Sequence, residues 1–372
     1  MAIYDKRREK IYDWMARENI AMVMIEDCES RRDPGLRWLS GQPTDALFFM
    51  SVDRKNLLVP WDVNMAMLYS QCDAVVPYSE FERRPAKALK GAADYLKVPE
   101  GSRIEIPGAI PYPLFLKYVD EIKDFDILCR DNGLERELER GRAVKDEDEL
   151  AIYRKISAMT CELTSLLEKN VTAGKLKTEI DVALFIETEA RKRGCEGTGF
   201  NTLAAGPERS FGIHAFPTYT SGAFATQGLS ILDYGLKYMG YTSDVTLTFA
   251  KEPLTRQQEK MITMVEKAHS LAASLIEKNA SCRSIALAVD AYFAKSKKNM
   301  PHALGHGIGL EAHEAPSVRS RADNEWVLEP GMIITLEPGL YDPVQGGCRL
   351  ENDVLITEKG GEILTNSRIV RM

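Results

Sequence analysis

Four apolar, strand-like runs in the second half of this chain each carry an acid, and few backbones tolerate that. "SILDYG" holds Asp233, "SDVTLTFA" carries Asp244 ahead of its apolar run, "MIITLEPG" ends its apolar run on Glu337, and "CRLENDVLITE" sets Glu351 near Arg349. Asp and Glu are depleted in strands and are rarely fully buried unless paired or bound to a metal. In "DVTLTFA" the period of two places Asp244, Thr246 and Thr248 on one face and Val245, Leu247 and Phe249 on the other. With "GLKYMGYT" as the hairpin turn, Asp233 and Asp244 come to face each other. Buried carboxylates without compensation repel one another, so a fold that gathers these acids has to supply a cation among them.

Long helical patterns surround those strands: "RAVKDEDELAIYRKISAMTCELTSLLEKNV", "LKTEIDVALFIETEARKRG", "TRQQEKMITMVEKAHSLAASLIEKN" and "SCRSIALAVDAYFAKSKK". Helices alternating with hairpins predict an α+β fold in which helices pack on a curved antiparallel sheet. The earlier part of the chain reads differently. Residues 5–20 form an amphipathic helix with Ile11, Trp14, Met15 and Ile20 on a helical rhythm, and "AMVMI" is a buried strand. "ALFFMSVDRKNLLVP" gives two strands about a polar turn, and "AKALKGAADYL" with "RIEIP" gives a helix and a strand, so this part is α/β. A chain of 372 residues exceeds the roughly 250–300 at which one core stops growing. The expected division is a smaller α/β domain at 1–137 and a larger domain at 138–372.

Composition removes several functions. The net charge of −7 and pI near 5.5 give no basic face for nucleic acid, and the runs "DKRREK" and "ARKRG" read as solvated helix faces. The seven cysteines contain no CxxC pair, which fits reduced thiols rather than a disulfide frame or zinc knot. The first twenty residues are charged throughout, and no run approaches the roughly 18 apolar residues of a membrane span. A cytoplasmic protein that engages neither membrane nor nucleic acid is expected.

The stretch "HALGHGIGLEAHEAP" holds three of the five histidines, His302, His306 and His313, with Gly305, Gly307 and Gly309 around the middle one. Two Asp, two Glu and one His make a donor set too rich in oxygen for structural zinc and suited to a pair of divalent first-row ions. Carboxylates bridging two such ions hold them about 3.5–4 Å apart, where they lower the pKa of a shared water. The glycines read as keeping the backbone thin where side chains would collide with the ions. His269, in the helix "MVEKAHSL", reads as structural.

In these motifs the chain resembles the pita-bread metallopeptidases, which include methionine aminopeptidase, prolidase and aminopeptidase P, with creatinase as a metal-free relative. The resemblance covers nearly the whole chain, and its first domain is similar to the creatinase-type N-terminal domain of prolidase and aminopeptidase P. It implies that Asp233, Asp244, His306, Glu337 and Glu351 are metal ligands for two divalent ions drawn from manganese, cobalt, zinc and iron, manganese first. It implies that Glu337 takes a proton from water, that His214 in "AAGPERSFGIHAFPT" serves the leaving amine, and that His313 contacts the scissile carbonyl. His302 would line the substrate pocket, Arg349 would shape it, and Thr246 would support a ligand. The activity implied is a dinuclear metal-dependent hydrolase removing the residue before proline, from an Xaa-Pro dipeptide or a longer peptide, as a homodimer.

The pattern also departs from the family. Leu247 stands where an arginine is common, the surroundings of His214 read "IHAFPT", and the tail "LTNSRIVRM" lacks a usual proline. Leu247 implies an altered pocket wall. Two other functions stay open on the same fold: a creatinase-like C–N hydrolase or lyase on betaine or sulfonium compounds, and a binding protein without activity, which the full ligand set disfavours. Arg31, Arg32 and Trp38 in "RRDPGLRWLSG" are candidate contributors from the first domain.

Overall fold

The acidic string "KDEDEL" fixes where the longest helix starts. In the computed structural model, which describes residues 3–372, the Asp146 side chain accepts from the Glu149 backbone N–H while the Glu149 side chain accepts from that of Asp146, a reciprocal cap that opens helix Glu147–Thr172. Four residues upstream the chain divides into two units, Met1–Arg142 and Ala143–Met372.

The first unit is built on a six-stranded mixed sheet in the order Ala74–Val75, Lys55–Pro60, Ala46–Ser51, Met22–Asp27, Arg103–Ile106 and Asp126–Cys129. Helix Ile3–Glu18 buries Ile11, Trp14 and Met15, and helix Pro85–Leu96 buries Ala88, Leu89, Ala92, Ala93 and Leu96, the three-and-four spacing of a core-facing stripe. Arg31 pairs with Glu26, Arg32 pairs with Asp27 and Asp45, and Trp38 is buried with its ring against Gly141. All three side chains that the sequence offered to a pocket make contacts within this unit.

The second unit is α+β. Helices Glu147–Thr172, Glu179–Lys192, Arg256–Ser274 and Cys282–Ala294 accompany two main sheets. One sheet runs Ile369–Arg371, Val245–Lys251, Gly228–Tyr234, Leu203–Ala205; the other runs Glu314–Val318, Gly305–Gly307, Ile333–Leu336, Asn352–Thr357, Gly360–Ile363. All pairings in them are antiparallel except that of 248–250 with 369–371. A bridge between Thr246 and Glu351 and a hydrogen bond from Asp244 N–H to Asp353 Oδ2 link the sheets.

Two expectations change at this level. Asp233 lies opposite Thr246, not Asp244, because a small ribbon of Leu236–Tyr238 and Tyr241–Thr242 is nested in the connection and Asp244 falls just before its strand. Leu247 does not alter a pocket wall: it pairs with Leu232 on the apolar face with Val245 and Phe249, and all three are 0 % exposed.

His269 is structural in its surroundings, 7 % exposed on helix Arg256–Ser274 with Nε2 at 3.3 Å from Asn352 Nδ2. Burial lowers its pKa to about 4 from 6.5. Between those values the unfolded chain takes up a proton that the buried ring refuses, so this group's contribution is complete above pH 6.5 and falls by up to about 3 kcal/mol as the pH drops to 4. Melting temperatures of the wild type and a His269→Gln variant, measured from pH 4 to 7, should converge toward acid. A difference that stays constant across the range argues against this coupling.

Candidate active site

A cavity of about 680 Å³ opens where the two sheets meet, and its walls include Asp233, Asp244, His306, Glu337, Glu351, His214, His302, His313 and Arg349. The strands deliver these side chains from well-separated stretches of sequence. Asp233 comes from the end of Gly228–Tyr234, Asp244 from the entry to Val245–Lys251, Glu337 from just past Ile333–Leu336, and Glu351 from the step between Gly346–Arg349 and Asn352–Thr357. Thr246, from the polar face of its strand, donates through Oγ1 to Glu351 Oε2 at 2.6 Å.

His306 occupies the middle of strand Gly305–Gly307 rather than a turn. Its Nδ1–H donates to the Gly307 carbonyl at 3.1 Å, which leaves the Nε2 lone pair facing Asp244 Oδ2 at 3.9 Å and Glu337 Oε1 at 3.6 Å. Burial first, then the neighbouring His313, pushes its pKa down to about 3, so the ring is neutral and can act as a ligand. The flanking glycines have a reason in the packing of the strands. A Cβ on Gly305 would lie 1.9 Å from the Thr335 carbonyl oxygen and one on Gly307 would lie 2.0 Å from that of Ala315. Close approach of neighbouring strands demands glycine there whether or not ions lie nearby.

The acids are not at ease as a group. Burial, reinforced by the neighbouring carboxylates, raises Asp244 and Glu337 well above the usual carboxylate range and raises Glu351 to about 7. Asp233 Oδ1 and Asp244 Oδ1 are buried with no hydrogen-bond donor. Asp244, His306 and Glu351 each bring a ligand atom within 4.8 Å of the other two. Orphaned carboxylate oxygens, mutual repulsion and a neutral imidazole form a donor set that fits a divalent cation.

Arg349 is 2 % exposed and wholly engaged with the protein. Nη2 donates to Asp233 Oδ2 at 2.6 Å, Nε to Thr246 Oγ1 at 3.0 Å, and Nη1 to the Ile213 carbonyl at 3.1 Å and the Tyr341 hydroxyl at 2.8 Å. The Tyr341 hydroxyl in turn donates to His302 Nε2 at 2.9 Å, because His302 Nδ1–H is directed at the Ala303 carbonyl at 2.8 Å. His302 also stands 3.6 Å from Glu337. The rings of His313 and His306 are tilted against one another with centroids 4.1 Å apart.

Sequence reasoning missed Tyr341 and Glu314. Tyr341 shares a face of its ribbon with Arg349, since Gly339 pairs with Arg349 and Tyr341 with Gly347, and that period of two was a usable signal. Glu314 adjoins His313, lines the cavity, and forms an ion pair with Lys145 at 3.5 Å, both side chains at most 2 % exposed. No local pattern announces a pairing between residues so far apart in the chain.

The sequence profile of metallopeptidase family M24 matches residues 151–358. The Xaa-Pro dipeptidase of Pyrococcus horikoshii is 28% identical over 382 residues, covering 99% of each chain. The Xaa-Pro dipeptidase of Pyrococcus furiosus is 30% identical over 270 residues, covering 70% of this chain and 73% of its own length. In fold, the chain is similar to the crystal structure of X-Pro aminopeptidase from Thermotoga maritima, with a TM-score of 0.83, 23% identity, and coverage of 98% and 99% of the two chains.

Proposed function

Because the chain belongs to metallopeptidase family M24, we propose that it is a dinuclear enzyme that removes the residue preceding proline from a dipeptide or short peptide. The observation that carries this reading is the cavity itself, where five ligand-type side chains converge and two buried carboxylate oxygens lack a donor. Asp233, Asp244, His306, Glu337 and Glu351 would hold the ions. When bound, two divalent ions supply Lewis acidity to the scissile carbonyl and make water a competent nucleophile at neutral pH.

The remaining chemistry falls to the side chains. Glu337, between His302 and His306, accepts the proton that the attacking water must lose. His313, set against His306, donates toward the oxygen on which negative charge develops. An amide nitrogen in proline carries no hydrogen, so it leaves only after gaining a proton, and His214 at the cavity wall is placed to deliver one. Phe200, Leu203 and Ile213 give the same cavity an apolar side that suits a pyrrolidine ring. Arg349 holds Asp233 in place, and His302 is held by Tyr341.

Similarity to the Xaa-Pro dipeptidases of the two Pyrococcus species favours a peptide over an onium or amidine compound. Manganese, a homodimeric assembly, a cytoplasmic setting and a creatinase-like identity for the first unit belong to the same reading through resemblance. Protein reconstituted with manganese should cleave Ala-Pro and the first bond of Ala-Pro-Ala while leaving Ala-Ala largely intact. Equal turnover of Ala-Ala, or no turnover of either proline substrate, would be the contrary result.

A further inference from the structure

The loop that carries His214 is tied at both stems to one buried acid outside the cavity wall. Glu179 is the first residue of helix Glu179–Lys192 and is 1 % exposed. It is not needed to cap that helix, since Thr178 and Asp181 already form the reciprocal cap. Its carboxylate instead accepts four hydrogen bonds. Oε1 takes the Gly206 N–H at 2.8 Å and Arg209 Nε at 3.0 Å, and Oε2 takes the Thr220 N–H at 2.7 Å and the Thr220 hydroxyl at 2.6 Å. Gly206 and Arg209 precede His214, and Thr220 follows it. Arg209 carries the tie inward, donating through Nη2 to the Pro217 carbonyl at 2.7 Å.

We propose that Glu179 is a positioning residue that fixes the 206–222 loop and so sets His214 against the substrate. A buried carboxylate adds little net stability through one ion pair, so four convergent donors from two loop stems point to conformational specificity as its purpose. The middle of the loop is pinned from another side, where Gly347 N–H donates to Ser210 Oγ at 3.0 Å and Arg349 to the Ile213 carbonyl. Phe216, two residues past His214, is 92 % exposed, and only the small Ala215 side chain beside it packs into a cluster with Leu203, Ala205 and Ile231, so most of the order at the tip comes from these ties. The clamp is a property of the loop alone, whereas its effect on turnover rests on the role given to His214 above.

Two measurements separate these. Hydrogen exchange on the metal-free protein should show amides of residues 206–222 exchanging about tenfold faster in Glu179→Gln than in the wild type, with the Val245–Lys251 strand unchanged. Unchanged exchange in the loop overturns the clamp whatever the enzyme cleaves. On manganese-loaded enzyme with Ala-Pro, Glu179→Gln should lower kcat about tenfold with little change in KM. In a His214→Ala background the same substitution should cost less than about twofold, because a residue acting through His214 has nothing left to position. Additive losses overturn the proposal, as does an unaffected kcat in a variant whose parent is active. Arg209→Lys, which keeps a charge for Glu179 but loses the planar fork that reaches Pro217, should reproduce the pattern in weaker form.

Discussion

Glu337→Gln should give a folded protein whose kcat on Ala-Pro is lower by about a thousandfold at saturating manganese. The side chain keeps its shape and loses both its charge and its capacity to accept a proton. Because Glu337 stands 3.6 Å from both His302 and His306, an isosteric amide leaves the surrounding packing undisturbed. The fall should therefore appear in kcat at every manganese concentration, beyond any weakening of ion binding. Burial and the neighbouring Glu351 and Asp233 disfavour the charged form of Glu337. The metal-free variant should consequently melt higher than the metal-free wild type at neutral pH, gaining stability while losing function. A variant with wild-type kcat removes Glu337 from the chemistry, and a metal-free variant that melts lower contradicts the repulsion.

The second large effect is that of metal on stability, and its sign with pH is fixed by the same acids. Asp244 and Glu337 sit well above their ordinary values and Glu351 at about 7, so the folded metal-free protein binds protons that the unfolded chain has already released. Through these groups its stability is highest below the unfolded carboxylate range and is lost as the pH rises toward and past 7, opposite in direction to the contribution of His269. An ion that replaces those protons reverses the loss. Manganese at a thousandfold above its Kd should stabilise the fold by about 4 kcal/mol, and the shift in Tm should grow from pH 5 to pH 8. His306→Ala should abolish most of that shift together with activity. A manganese effect on Tm that is independent of pH, or that survives in His306→Ala, places the ion elsewhere.

The candidate site was legible in the sequence to the extent that it disturbed local pattern. Asp233, Asp244, Glu337 and Glu351 stand out because acids interrupt apolar strands, and His306 because glycines crowd it; all line one cavity. The reason for those glycines was not legible, since the contact of Gly305 with the Thr335 carbonyl depends on strand separation rather than on composition. Likewise Leu247 departs from a family pattern but faces Leu232 across the sheet, away from the chemistry. Tyr341, Glu314 and Glu179 are ordinary residues in ordinary strings. What distinguishes them is a partner supplied by folding: Arg349 for Tyr341, Lys145 for Glu314, and Gly206 and Thr220 for Glu179. The helical pattern read from Arg142 onward ran across a break, since one helix ends at Ala143 and the next starts at Glu147 after its cap at Asp146.

The bridge between Thr246 and Glu351, which with the Asp244 N–H bond to Asp353 Oδ2 links the two sheets, has a consequence for the order of events in folding. The five proposed ligands are divided between the sheets, with Asp233 and Asp244 in or beside one and His306, Glu337 and Glu351 in or beside the other. On the proposed ligand set, ion capture therefore waits on contacts about a hundred residues apart in the chain, which are slow to form. On that reading a half-assembled chain would hydrolyse nothing, and arrival of the ion would mark the moment at which the two sheets have met in register.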